Sequence, residues 1–248
     1  RSSIDFATGT NQLGIWSGVS GATNRNGLTL GSQAGDAKII ASANAQFVVW
    51  SDIHSANQDI YVAKHQEGQW VPLGDSLLSG GVSQSDATSL NPALVIDANG
   101  DLIVAWTETT VDGSNIHLAR FNSTNDQWES LSGSFKVTDT NSANDIQLAL
   151  IDDNIVLSWL DSSSGVVQVF AQVFNGTSWE VLGEGSNTGG GLSNSATDVI
   201  DLNVISSGNK FAVAYSYEGT SDKQFAVEEW SQSNWHERTP NQITDTAI

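Results

Sequence analysis

The chain has 248 residues, which is long enough to bury a sizeable core as one all-β domain or as two smaller domains. Its formal net charge is −19, from 9 Lys and Arg against 28 Asp and Glu, so we expect no nucleic-acid partner and no anionic membrane as partner. The absence of cysteine excludes disulfides and thiolate metal sites, and no apolar run approaches the ~20 residues that insertion into a membrane requires.

Residues 1–36 admit two interpretations. Ser3–Gly18 aligns with Ala37–Asp52 and places Trp16 opposite Trp50, which predicts an inner hairpin whose sheet has lost most of its outer half. Alternatively, Trp16 is an outer tryptophan. Its separation from Trp50, 34 residues, is close to the 36 residues that separate later outer aromatics from the next inner ones. Residues 1–36 would then be an outer half-sheet that awaits inner strands from elsewhere.

The stretch Asn91–Gly133 predicts four short strands. Its first two strands flank Asn99-Gly100, a dipeptide that supplies the positive φ angles of a two-residue hairpin turn. The four predicted strands are Ala93–Ile96, Leu102–Trp106, Ile116–Phe121 and Trp128–Leu131. A meander of four strands that recurs within one chain is typical of a β-propeller blade.

Large aromatic residues recur along the chain at a nearly constant spacing. The aromatic residue that ends each second strand recurs after 56, 53 and 56 residues. A third strand begins ten residues after each of them, and another tryptophan follows 10 or 12 residues later. We expect both sets to pack in the core. The inner aromatics are Trp50, Trp106, Trp159 and Tyr215, and the outer ones are Trp70, Trp128, Trp179 and Trp235.

These repeats predict an all-β fold, a β-propeller of about five four-stranded blades that forms a single domain over residues 1–248. The first blade is shortened or is completed by the chain ends. The inner strands are apolar on both faces, as strands between neighbouring blades are. A closed ring is favoured over a segment of a longer array, because an open array exposes an apolar face and sheet edges. The predicted repeats are 1–36 (partial), 37–90, 91–144, 145–199 and 200–248.

The repeated pattern also carries a resemblance to known proteins. The pattern of a hairpin, V-x-W-x-[D/E], I-x-[V/L]-A-[K/R] and N-G-x-x-W-x-x-L-G covers Ala37–Ile248. This pattern resembles β-propeller repeats of large bacterial extracellular proteins, including adhesins and lectin-like propellers. The composition, rich in Ser, Asn, Thr, Gly and Asp and without methionine, is similar too. The resemblance implies a binding or scaffolding platform that is extracellular or on the cell surface, and it assigns no catalytic residue.

One segment resembles half of a calcium-binding loop. The segment Asp97-Ala-Asn99-Gly-Asp101 places oxygen-bearing side chains at alternate positions of a tight turn. Leu102 stands where such a loop needs glycine, and Ala105 stands where it needs another acid. We therefore interpret the segment as a hairpin turn. No cofactor is required on this interpretation, and the acidic composition leaves Ca²⁺ binding open.

Acidic residues follow the inner aromatics, two residues later in three copies and three residues later in the fourth. In a propeller these loops gather on one face around the central channel, so a ring of carboxylates there predicts a site for sugar hydroxyls, a cation or a basic partner. Alternatively, each carboxylate accepts backbone N–H groups in its own turn. The predicted ligand-binding residues are Asp52, His54, Glu108, Asp161, Tyr217 and Glu218.

Together these features predict a non-enzymatic, carbohydrate-binding module of an exported bacterial protein, acting through loops on one face of the propeller. The alternative is a protein-interaction or structural module of a large surface protein, so the expected partner is a glycan or a cell-surface protein. A third interpretation is a glycosidase whose carboxylates are Asp52, Glu108 and Asp161. Their repetition at equivalent positions argues against it, because catalysis breaks the symmetry of a repeat.

Overall fold

The computed structural model describes residues 7–10, 15–18, 28, 33–54, 57–131, 142–219 and 222–238, the first two ranges by their backbone alone. Every regular element in these ranges is a β-strand. Across the same ranges, no helix is long and apolar enough to cross a membrane. The chain divides into two compact units, Arg1–Asn141 and Ser142–Ile248.

The first unit consists of one strand pair and two antiparallel sheets. β1 pairs with β2, and two meanders follow that we call sheet 1 (β3–β6) and sheet 2 (β7–β10). In both sheets the strands neighbour one another in chain order. The strands are β1 Ala7–Thr10, β2 Ile15–Gly18, β3 Gly35–Ala41, β4 Gln46–Ile53, β5 Gln58–Gln66, β6 Gln69–Val71, β7 Thr88–Ile96, β8 Leu102–Thr110, β9 Gly113–Asn122 and β10 Gln127–Ser130.

The second unit contains two more meanders of the same kind, sheet 3 (β11–β14) and sheet 4 (β15–β18). Both are four-stranded and antiparallel, and both again follow chain order. The strands are β11 Asn144–Ile151, β12 Asn154–Asp161, β13 Gln168–Phe174, β14 Trp179–Val181, β15 Val199–Ser207, β16 Lys210–Glu218, β17 Lys223–Ser231 and β18 Asn234–Glu237.

The hairpin turns follow two geometries. Asp152 and Asp153 both have positive φ, 45° and 67°, which is the two-residue type I′ form. A hairpin at Asn99-Gly100 is confirmed, but there only Gly100 has positive φ, at 84°. The Gly100 amide donates to the Asp97 carbonyl at 2.9 Å. A type I turn followed by a left-handed glycine therefore replaces the predicted two-residue turn.

Each unit has an apolar core between its two sheets. The four inner aromatics are at most 6 % exposed, which confirms their predicted place in the core. β4, β8 and β12 are buried on both faces, as predicted for strands that lie between neighbouring sheets. β16 departs from this pattern, because Phe211 and Val213 are buried whereas Ala214 is exposed.

Two outer tryptophans connect neighbouring sheets through their indole N–H groups. Trp128 of sheet 2 donates to the carbonyl of Leu73, which follows sheet 1, at 3.0 Å. Trp235 of sheet 4 donates to the carbonyl of Leu182, which follows sheet 3, at 2.5 Å. Both leucines are buried, at 6 % and 4 % exposure, so each bond lies at the edge of an intersheet core.

The segment that links sheets 1 and 2, residues 72–87, docks on the third strand of sheet 1. The Val82 N–H donates to the Ile60 carbonyl at 2.7 Å. Gly81, with φ of 53°, lies so close that a Cβ atom would be 2.1 Å from the same carbonyl oxygen. The backbone therefore requires glycine at this position.

Residues 182–198, which link sheets 3 and 4, dock in the same way. The Leu192 N–H donates to the Val169 carbonyl at 2.7 Å. A Cβ atom on Gly191, whose φ is 60°, would lie 2.1 Å from that oxygen. Both linkers carry Gly-Gly-x-Ser-x-Ser at the docking point, at residues 80–85 and 190–195.

The described residues show an all-β chain with four four-stranded antiparallel sheets and one strand pair. The number of about five blades, the ring closure and the single domain over residues 1–248 stay predictions. β1 and β2 form a hairpin, which both interpretations of residues 1–36 require. The rest of that segment and the C-terminal ITDTAI lie outside the described residues.

Replacing Gly191 with Ala is expected to destabilise the fold more than replacing Gly189. Both glycines have φ near 60°, where alanine costs ~1–2 kcal/mol. Only at Gly191 does the new methyl group meet a carbonyl, because nothing lies within 4 Å of a Cβ on Gly189. Urea unfolding of both variants measures the difference, and equal losses of stability would contradict the docking geometry.

Candidate functional site

In each sheet, the candidate functional residues lie at one end of the pairing between the second and third strands. Residues that face each other across such a ladder have neighbouring side chains. Sheet 1 pairs two acids at this position, whereas the other sheets pair an acid or a tyrosine with an amide. From sheet 1 to sheet 4 the pairs are Asp52 with Asp59, Glu108 with Asn115, Asp161 with Gln168, and Tyr217 with Gln224.

Asp52 and Asp161, both predicted from the sequence to bind ligand, are 0 % and 1 % exposed. Asp52 Oδ1 accepts the Ile53 N–H at 2.8 Å. Asp161 Oδ1 accepts the Ser163 N–H at 2.7 Å. Both carboxylates thus accept backbone N–H groups in their own turns, as the alternative interpretation expects.

Glu108 occupies the equivalent position in sheet 2, but its longer side chain has other partners. The Trp106 indole N–H donates to Oε1 at 3.0 Å. The Ser85 hydroxyl donates to Oε2 at 3.0 Å, and His117 Nε2 lies 3.4 Å from Oε2. Glu108 is 8 % exposed, so this carboxylate is nearly buried and is held in place by its partners.

Asp59 lies beneath the linker between sheets 1 and 2 and is 1 % exposed. The Ser83 hydroxyl donates to Asp59 Oδ1 at 2.9 Å. Burial raises the pKa of Asp59; the Ser83 hydrogen bond opposes this shift, and the nearby charge of Glu108 adds to it. Burial, followed by the charges of Asp59 and Asp52, raises the pKa of Tyr61 to about 12.

His117, like Glu108, distinguishes sheet 2 from its neighbours. Its ring stacks on Trp106, with centroids 5.8 Å apart and planes 19° apart. The inner tryptophans of sheets 1 and 3 stack in the same way on Tyr61 and Phe170. Burial lowers the pKa of His117 and outweighs the opposing effect of Glu108, so the imidazole is held toward its neutral form.

The remaining predicted residues lie near the ends of the same strands. His54 is exposed, and its ring is perpendicular to that of Tyr61, with ring centroids 6.3 Å apart. The Tyr217 hydroxyl donates to Gln224 Oε1 at 3.0 Å. Glu218 is exposed, and its backbone carbonyl accepts the Thr197 hydroxyl. Within the first unit, the structure places Asp59 opposite Asp52 and His117 beside Glu108, and neither Asp59 nor His117 was predicted.

The calcium-like segment uses its first carboxylate within the turn. Asp97 Oδ1 accepts the N–H groups of Asn99 and Asp101, both at 2.9 Å. Asp97 Oδ2 lies 3.3 Å from an Arg120 guanidinium nitrogen. Among the residues that the structure describes, no three His, Asp or Glu side chains are placed to hold a metal ion. Calcium binding stays a prediction.

Asp59 and His117 do not show in a comparison of the aromatics and acids alone, because they stand at the positions that pair with those residues. Seven residues after Asp52, Glu108, Asp161 and Tyr217, the sequence has Asp59, Asn115, Gln168 and Gln224, respectively. The position eleven residues after each inner aromatic reads Tyr61, His117, Phe170 and Ala226. Both departures from the repeat are therefore visible in the sequence once the hairpin register is known.

No protein-family model matches the chain, and no curated protein matches it. Solved structures do resemble it over most of its length. A thermostable family-43 glycoside hydrolase has a TM-score of 0.57 at 9% identity, covering 85% of this chain and 77% of that one. An endo-1,4-β-xylanase from Bacteroides thetaiotaomicron has 0.51 at 10%, covering 84% and 77%. The α-L-arabinofuranosidase Arb93A from Fusarium graminearum has 0.53 at 12%, covering 83% and 66%.

These likenesses show that the chain shares the β-propeller fold of the hydrolases. They contradict the predictions of a non-enzymatic binding module and of a protein that is not an enzyme, since the named structures of this fold are glycoside hydrolases. The physical error lay in treating the acids as equivalent. Asp52 and Asp161 do occupy equivalent turns, but Asp59 is an acid where the other three sheets carry an amide, and Glu108 has a longer side chain that contacts His117. The similarity to adhesin and lectin-like repeats stays a prediction.

We expect the pKa of His117 to lie below the ordinary value near 6.5 and to fall further in the Glu108→Gln variant. Burial lowers this pKa, and the carboxylate that partly offsets the effect is lost in the variant. An NMR titration of the imidazole measures both values. The matched control is Glu129→Gln, which removes an exposed carboxylate from β10 of the same sheet. A rise of the His117 pKa in Glu108→Gln would contradict the pairing.

Proposed function

We propose that the chain cleaves glycosidic bonds, with Asp59 and Glu108 as its two reactive carboxyl groups. The observation that carries the proposal is the pair itself: two acids in different environments, each bonded to a serine of the same linker, Ser83 or Ser85. Glycoside hydrolysis generally uses such a pair, one as proton donor and the other as base or nucleophile. The fold shared with glycoside hydrolases supports the reaction class.

Asp59 takes the part of the general acid. A buried carboxyl group with a raised pKa keeps its proton at higher pH than an exposed one, and can then deliver it to the departing glycosidic oxygen. The Ser83 hydroxyl fixes one carboxyl oxygen. Because the side chain is 1 % exposed, a substrate reaches it only when the segment around Ser83 moves aside.

Glu108 takes the part of the base or nucleophile on the other side of the bond. The donors on Trp106 and Ser85 orient its two oxygens, and a substrate or water molecule would approach the remaining side of the carboxylate. His117 acts as a positioning residue, since it contacts Glu108 and stacks on the tryptophan that holds the other oxygen. A neutral imidazole does so without compensating the negative charge that the reaction needs.

The substrate class follows from the names of the structural neighbours and from the composition. One neighbour is a xylanase and another an arabinofuranosidase, so pentose-containing glycans are the first to test. The acidic, cysteine-free composition supports action on glycans outside the cell.

Substitution of either carboxyl group should abolish hydrolysis. We expect Glu108→Gln and Asp59→Asn each to lower kcat/KM by about 10²-fold or more, since general acid–base groups contribute on that scale. The assay uses 4-nitrophenyl α-L-arabinofuranoside, 4-nitrophenyl β-D-xylopyranoside and soluble arabinoxylan. The control is Glu218→Gln, which removes an exposed acid from the predicted set. Retained hydrolysis in Glu108→Gln, or no hydrolysis by the wild-type protein on any of the three, would refute the proposal.

The Ser83→Ala variant should move the alkaline limb of the pH–rate profile to higher pH. The acid must be protonated to act, so the rate falls as pH rises through the pKa of Asp59. The Ser83 hydroxyl lowers that pKa, and its removal therefore raises it. The readout is the pH dependence of kcat/KM, with Ser79→Ala from the same linker as control. A shift to lower pH would contradict the role of Asp59.

A further inference from the structure

A second site is indicated by a cavity of about 220 Å³ in the first unit. The cavity lies between the linker that follows sheet 1 and the turn between β9 and β10. Residues from both segments line it, and one of them is a tryptophan. The lining residues are Asp75, Gly81, Val82, Gln84, Asp126, Gln127 and Trp128.

Two contacts hold the indole of Trp128, which lines the cavity, in place. Its N–H donates to the Leu73 carbonyl at 3.0 Å, and Phe121 packs on it with ring centroids 5.3 Å apart. A ring held in this way loses little freedom when a ligand packs on it, so it serves as a rigid apolar platform.

The second unit contains the same arrangement of tryptophan and leucine but builds it differently. Trp230 there takes the ladder position that Phe121 has in sheet 2, and its ring lies against Gly183, 2.4 Å from where a Cβ would be. The turn before Trp235 has two residues, whereas four residues precede Gln127 in the turn of sheet 2. The smaller ring and the longer turn give the first unit its own lining of acids and amides.

We propose that this cavity binds one neutral sugar unit of a glycan, with the ring of the sugar on Trp128 and its hydroxyl groups on the polar rim. Aromatic rings pack against the C–H faces of sugars, and carboxylate and amide groups bind their hydroxyls. Two carboxylates on the rim, Asp75 and Asp126, disfavour uronic acids and sulfated sugars, because like charges repel.

The cavity lies on the same linker as the carboxyl groups assigned to hydrolysis, but it uses different residues. Ser83 and Ser85 bond to Asp59 and Glu108, while Gln84 between them lines the cavity. Binding here does not depend on the proposed hydrolysis, and it would hold a glycan chain beside the linker that covers Asp59.

The test is affinity electrophoresis in gels that contain arabinoxylan, linear arabinan or β-1,4-glucan, with polygalacturonic acid as the anionic comparison. The protein carries Glu108→Gln so that the polymers stay intact. We expect retardation by at least one neutral polymer and none by polygalacturonic acid. In the same background, Trp128→Leu and Asp126→Gly should each weaken retardation about tenfold. Glycine suits position 126 because φ there is 58°.

Trp235→Leu is the matched control, since it removes an indole with the same kind of hydrogen bond from the second unit. Retardation that survives this control but is lost in Trp128→Leu and Asp126→Gly supports the site. Unchanged retardation in Asp126→Gly, or no retardation of the parent protein by any neutral polymer, overturns it. Because no hydrolysis is measured, the site can stand if the proposed activity fails, and the activity can stand if the site fails.

Discussion

In each unit, the structure depends on the docking of the linker between its two sheets, residues 72–87 or 182–198, against the third strand of the preceding sheet. In the first unit the Val82 N–H reaches the Ile60 carbonyl at 2.7 Å, and only glycine at position 81 permits that approach. The same contact recurs in the second unit. A linker fixed at this point presents its next serines to the ends of the strands, so the position of the candidate site follows from a backbone contact rather than from the acids themselves.

The same frame explains how a repeated architecture supports an unrepeated site. In sheet 3 the linker serine Ser193 donates to the amide oxygen of Gln168, and that amide is further satisfied by the backbone of Ser195. In sheet 1 the corresponding serine, Ser83, meets Asp59 instead. One change from amide to acid thus turns a satisfied structural contact into a buried carboxyl group. Where sheets 1 and 3 have Tyr61 and Phe170, sheet 2 has His117, which places an imidazole beside Glu108.

Much of the fold could be predicted from the sequence because the signals are local. The spacing of the aromatics located the inner hairpins, and the polar turns located their ends. The turn at Asn99-Gly100 was predicted as a hairpin but with the wrong geometry, since tertiary context decides between type I′ and type I with a left-handed glycine. The type I′ turn at Asp152 and Asp153 contains no glycine, so its sequence does not predict this geometry.

The site was harder to predict because it depends on register and burial. The sequence identified Glu108 but grouped it with Asp52 and Asp161, which the structure buries against backbone N–H groups. Asp59 lies on a different strand, and only the ladder places it opposite Asp52. The shift of its pKa arises from burial beneath a linker that sequence periodicity does not position.

We propose that a glycosidic bond is cleaved between Asp59 and Glu108. The most direct measurement is a crystal structure of the Glu108→Gln variant soaked with an oligosaccharide that the wild-type protein cleaves. We predict a glycosidic oxygen within hydrogen-bond distance of the Asp59 carboxyl group and a sugar carbon or bound water facing residue 108, with the Ser83 segment moved aside. An oligosaccharide that is bound only elsewhere, with Asp59 still covered by Ser83, would contradict the account.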